Sequence, residues 1–118
     1  MAVPSFTRTA DLPGRTVMHT WTLTTADHTG EAMETPGTSD RTVTATGTWG
    51  GATFIMEGSN DNAVFLPLTD NGNTAISMTT NGIEVILQNP RYIRPRLSAV
   101  GAGATVVVQV FSRSTMQR

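Results

Sequence analysis

The chain has 118 residues, no cysteine and a formal net charge of -1, which leaves room for one domain with one core. Disulfides, thiolate zinc sites and a cysteine nucleophile are thereby excluded, and the overall field is too weak to capture nucleic acid or an anionic membrane. Charged residues make up 14% of the chain, well below the usual ~25%, and every basic residue is Arg. Thr, Gly, Ser and Asn take their place. Such a surface is cheap to desolvate, which suits either a protein packed against other subunits or a sheet whose outward positions are simply filled by Thr.

Residues 1–15 carry Pro4 and Pro13 and show little periodicity, so they are expected to form an extended N-terminal arm. Phe6 and Leu12 are its candidate anchors, positioned to dock on a neighbouring subunit. A basic stretch followed by an apolar run is missing from residues 1–6, and no segment approaches 18 consecutive apolar residues, so neither a signal peptide nor a spanning helix is expected. Residues 16–24 alternate, with Val17, His19, Trp21 and Leu23 facing one way and Met18, Thr20, Thr22 and Thr24 the other, the pattern of a half-buried strand. His19, beside Trp21, reads as a hydrogen-bonded core or interface histidine rather than a general base.

Residues 26–39 hold Gly30, Pro36 and Gly37 and read as a long loop. Its Asp27, His28 and Glu31 match no zinc or calcium ligand spacing. Residues 42–49 alternate strictly, placing Val43, Ala45, Gly47 and Trp49 on one face and four threonines on the other. Trp49-Gly50-Gly51-Ala52 carries the Gly-Gly pair of a tight hairpin. Further strands are expected at residues 52–57, 63–68, 74–79, 83–88, 92–100 and 105–111. Asp70-Asn71-Gly72-Asn73 and Asn81-Gly82 supply turns, Asn89-Pro90 stops one strand and starts the next, and Gly101-Ala102-Gly103 closes a final hairpin.

Asp40, Asp61 and Asp70 border turns, where Asp bonds the local backbone, and no two carboxylates are poised for acid and base roles. Gly101-Ala102-Gly103-Ala104 opens a strand, so it offers no helix N-terminus for a phosphate. The one concentration of charge is Arg91, Arg94 and Arg96. On a strand, Arg94 and Arg96 share a face with Tyr92 while Ile93, Pro95 and Leu97 point inward. Pro95 has no N–H to donate, which predicts an edge strand or a bulge. The run Val106-Val107-Val108 looks buried on both sides. No periodicity supports a helix.

Eight short strands at about ten-residue spacing indicate an all-β fold, an antiparallel sandwich or barrel. The expectation is an antiparallel β-sandwich, jelly-roll or Ig-like, over residues 16–112, preceded by the arm at 1–15 and followed by a short tail at 113–118. No catalytic residue, cofactor or metal is expected.

From Asp40 to Phe111 the order of motifs resembles a known family. Asp40-Arg41-Thr42-Val43, then Gly47-Thr48-Trp49-Gly50-Gly51-Ala52-Thr53, Glu57-Gly58-Ser59-Asn60-Asp61 and Asn89-Pro90-Arg91-Tyr92-Ile93-Arg94-Pro95 look like the head decoration (cement) proteins of tailed bacteriophages. In those proteins the Gly-Ser-Asn-Asp segment is followed by Gly and a Trp-containing stretch. Here Asn62-Ala63-Val64-Phe65 stands in, with Phe65 in the aromatic's place. The resemblance implies a β-sandwich made in the host cytoplasm and placed on the outer capsid surface of the virion. It would be a homotrimer at local threefold positions that ties major capsid protein subunits together, with no nucleic acid or membrane partner. Candidate capsid or subunit contacts are Phe6, Leu12, Arg91, Tyr92, Arg94 and Arg96. The competing reading is a carbohydrate-binding sandwich displayed on the virion, because Gly-Ser-Asn-Asp also occurs in discoidin-like lectin modules. Both Trp residues fall inside expected strands, which argues against exposed sugar platforms.

Overall fold

Alternation of β-branched and small residues drives the chain into strands, and a computed structural model describes residues 3–12, 16–35, 40–98 and 102–113, without the side chains of 9–12. These residues form β1 (Thr7–Leu12), β2 (Thr16–Thr24), β3 (Met33–Glu34), β4 (Asp40–Thr48), β5 (Thr53–Ser59), β6 (Leu66–Pro67), β7 (Ser77–Met78), β8 (Gly82–Ile86), β9 (Tyr92–Ser98) and β10 (Thr105–Arg113). The described residues include no helix, and so none long and apolar enough to cross a membrane. One sheet has the order β1-β2-β10-β4-β8; the other runs β3-β9-β5-β6, with β7 also paired to β5. Every pairing is antiparallel. The fold is an antiparallel β-sandwich.

The pairing has a simple logic. Thr24 faces Thr105, Met33 faces Ile93, Arg41 faces Ile86 and Gly58 faces Leu66. The chain from β2 onward is therefore one long ribbon folded back on itself, with its tip between Gly58 and Leu66. Wrapping that ribbon so that alternate strands fall in opposite sheets gives the connectivity of a jelly roll.

This corrects two turns. Trp49-Gly50-Gly51-Ala52 does make a tight turn, with Ala52 N–H donating to Trp49 O at 2.9 Å and positive φ at Gly50 and Gly51. Its flanks, β4 and β5, nevertheless lie in different sheets, so it is a corner and not a hairpin. The connection from β9 to β10 likewise crosses between sheets, and Gly101 lies outside the described residues. Local sequence specifies the reversal of the chain, but whether the arms then pair depends on partners far away.

Inward side chains close the core. Trp21, Phe54, Leu23, Met33, Met56, Ile76, Ile93 and Leu97 are fully buried among Val43, Val106, Val108 and Val110. Val107 is half-buried on the outer face, so β10 alternates instead of being buried on both sides. In β4 the alternation ends at Gly47, whose φ of 142° and contact with the Thr105 carbonyl leave no room for a Cβ. Trp49 is consequently half-buried at the margin of the core, its Nε1–H donating to Asn81 Oδ1 at 2.9 Å. The strands expected at 63–68 and 74–79 shorten to β6 and β7, joined by a Thr69–Ala75 bridge.

The strand containing Pro95 is not an edge. β9 lies between β5 and β3, with Pro95 opposite Met56. Its missing N–H causes no loss, because the backbone of Pro95 is turned away from β5 toward the loop, where its carbonyl accepts from Gly30 N–H at 2.9 Å. The long loop is thus fastened down: Leu97 N–H donates to His28 O and Trp21 Nε1–H to Glu31 O, and β3 lies within it. Over Thr7–Leu12 the expected arm is an edge strand on β2.

Candidate interaction face

Outward positions of the five-stranded sheet form a nearly uncharged surface. The register sets Met18, Phe111, Thr42 and Val85 in one row across four strands, Thr20, Gln109, Thr44 and Ile83 in the next, and Thr22, Val107 and Thr46 in a third. Among the described side chains its charges are Arg113 and Asp40, which neutralise one another at one end with Nε–Oδ2 at 2.8 Å. Nothing on the rows between carries a charge. Strand and residue spacings make this face roughly 600 Å² in projection, close to the ~800 Å² that each partner contributes to a standard protein interface. Threonine offers a methyl group and a hydroxyl on a stiff side chain, so covering it costs little rotamer entropy compared with Lys or Glu.

The arginine cluster is organised differently. Glu57 of β5 is buried and receives Arg94 Nε at Oε1 (3.0 Å) and Arg96 Nε at Oε2 (2.9 Å). The Arg94 guanidinium also lies 3.8 Å from the centre of the Phe65 ring. Arg91 pairs with Glu34 at 3.0 Å and lies 5.2 Å from the Tyr92 ring centre. Arg94, Arg96 and Tyr92 do share the outward face of β9, but their charge is largely spent within the chain. Sequence reading missed Glu57; its place on the outward side of an adjacent strand was the signal available.

Phe6 packs on its own chain, edge-to-face on His19 (5.0 Å) and Trp21 (5.8 Å). The Leu12 side chain lies outside the described ones. His19 is 3% exposed, the buried position expected of it, and its Nδ1 has no hydrogen-bond partner. Burial, with Arg8 and Arg41 nearby, pushes its pKa down to about 4. Arg41 is also buried and donates from Nη1 to Asn89 Oδ1 at 2.7 Å.

At the ribbon's tip, Gly58-Ser59-Asn60-Asp61 borders an open depression of about 640 Å³, completed by Val64, Leu66, Pro67, Leu68, Gln88, Asn89 and Pro90. Asp61 Oδ1 accepts from the N–H groups of Val64 and Ala63 and from Ser59 Oγ, which holds its pKa at about 2. Among the described residues no aromatic ring lines the depression.

Compared with protein-family models, curated proteins and solved structures, the chain has no significant match.

Proposed function

We propose that this chain is a non-enzymatic structural protein that binds another protein through the uncharged outer face of its five-stranded sheet. In this reading it is a virion component that covers the outer surface of a phage capsid as a homotrimer and bridges major capsid protein subunits. The observation that carries the proposal is the face itself: three rows of Thr, Gln and apolar side chains, with charge among the described side chains only at one margin. The centre of a stable interface is depleted of charge, and burying such a face leaves no ion to desolvate. The motif resemblance supplies the identity of the partner.

Thr22→Lys and Thr46→Lys, which flank Val107 at exposed positions, test it. Introduced together, they are expected to abolish co-sedimentation with heads lacking the protein while leaving the melting temperature near its original value. An exposed turn substitution, Asn71→Lys, should bind as the parent does. Unchanged binding by the double variant would remove the face from consideration.

The depression at the tip favours a second reading, a glycan site. Asn60, Asp61, Gln88 and Asn89 offer planar polar groups beside apolar walls, the mixture small ligands need. Retention on a glycan surface that is lost in Asp61→Ala, with head binding intact, would establish it.

A further inference from the structure

We propose that the free edge of β8 takes up an extended segment of a partner protein as an additional strand, one with a basic residue between two apolar residues. The inference goes beyond the reading above, since it concerns the backbone edge of β8, although Ile83 and Val85 also lend their side chains to the outer face.

The other sheet margins are blunted in the usual ways. β1 breaks register between Thr9 and Leu12, β3 is two residues long, and β6 is two residues long and includes Pro67. β8 has five residues in unbroken register with β4, with no proline, bulge or basic residue, and no strand pairs with its other side among the described residues.

Its backbone polarity follows from the bonds at its ends. Leu87 N–H donates away from β4, to Thr69 O at 2.9 Å, while Gly47 N–H of β4 points toward the β8 side, to Asn81 Oδ1 at 3.1 Å. Alternation along a strand then directs the N–H and C=O groups of Ile83 and Val85 outward, ready for a ladder. Ile83 and Val85 are 66% and 37% exposed, with side chains on the outer face, where an added strand would set its own apolar residues beside them.

Charge identifies the occupant. Glu84 lies between Ile83 and Val85 and points to the other face, facing the Asp70 carboxyl with no ion pair among the described residues. Between Arg41 and Arg91 the sequence contains no basic residue at all. A second copy pairing through the same edge would bring Glu84 and Asp70 against their own equivalents, a like-charge arrangement. An Arg or Lys on an incoming strand would instead meet two carboxylates.

The test uses isotopically labelled full-length protein and the capped synthetic peptide Thr-Thr-Val-Arg-Val-Thr-Thr, followed by NMR amide shifts. Shifts centred on Ile83 and Val85 are expected. Val85→Pro, which deletes an outward N–H without touching the bonds to β4, should weaken binding about tenfold, the size of one lost ladder bond. Glu84→Gln should also weaken it, as should replacing the peptide's Arg by Glu. A peptide N-methylated at its central valines gives the same information with the protein unaltered. No shifts at millimolar peptide, equal binding by the Glu peptide, or binding indifferent to N-methylation would each overturn the proposal. So would a dimer in solution that Val85→Pro dissociates, which would assign the edge to a second copy.

Discussion

Acidification should unfold this protein through His19. The ring is 3% exposed, its Nδ1 is unpartnered, and its folded pKa is about 4 against 6.5 for the free side chain. The folded state therefore resists a proton that the unfolded state accepts. At neutral pH and above neither state is protonated and nothing is lost. Below about pH 6.5 the unfolded chain binds the proton, and stability falls by about 1.4 kcal/mol per pH unit until the folded pKa is reached. Linkage gives a loss of about 2 kcal/mol at pH 5 and about 3 kcal/mol below pH 4. For a chain of this length, 2 kcal/mol corresponds to a fall of about 8 °C in melting temperature. Urea unfolding followed by Trp fluorescence is a suitable assay, because Trp21 lies beside His19 at 6.3 Å between ring centres. His19→Gln provides the reference, because it keeps every other titratable group of the parent. The difference between parent and variant should open between pH 7 and pH 5. Parallel curves over that window would refute the assignment of a neutral, desolvated histidine.

Removing Glu57 leaves Arg94 and Arg96 close together without their shared carboxylate. Because both guanidinium groups retain about a third of their exposure, Glu57→Gln should cost about 2 kcal/mol, less than a fully buried pair would, measurable as a lower urea midpoint with unchanged slope. Gly30→Ala places a Cβ 2.8 Å from both Pro95 Cγ and Trp21 Cδ1; overpacking of about 1–3 kcal/mol is expected, together with a change in Trp fluorescence. Phe6→Ala removes two edge-to-face contacts and should lower stability by about 1–2 kcal/mol in the isolated chain. An unaltered melting temperature would return Phe6 to the role of an anchor for another subunit.

Side-chain orientation was largely legible in the sequence. The alternations at residues 16–24 and 92–98 predict which residues face the core, with Ile93, Pro95 and Leu97 buried as expected, while that at 42–49 holds for Val43 and Ala45 and fails at Gly47 and Trp49. What alternation does not encode is the sheet to which a strand belongs. Gly50-Gly51 reverses the chain equally well into a hairpin or a corner, and only the distant pairing of β4 with β10 and β8 decides. The pairing of the extended N-terminal segment is hidden for a related reason: a lone edge strand has a partner on one side only, so Thr7–Leu12 needs little periodicity to be held by β2. The threonines were visible, but their rows became a face only through register, which brought Gln109 and Val107 of β10 between the threonines of β2 and β4. Glu57 and the Arg pair were each visible without their connection, since 37 and 39 positions separate them.

The strand that follows all the others among the described residues sits inside its sheet, between β2 and β4. All nine residues of β10 pair with β2 on one side and with β4 on the other. While the chain emerges from a ribosome, β2 and β4 consequently have no strand to join them, and their inward Trp21, Leu23 and Val43 stay uncovered until β10 has followed. Pairings of such long sequence separation form slowly, so the incomplete chain spends its synthesis with strand edges open to wrong partners. Loss of β10 would split the five-stranded sheet in two rather than trim its margin, so an intact β10 becomes the condition for a joined sheet.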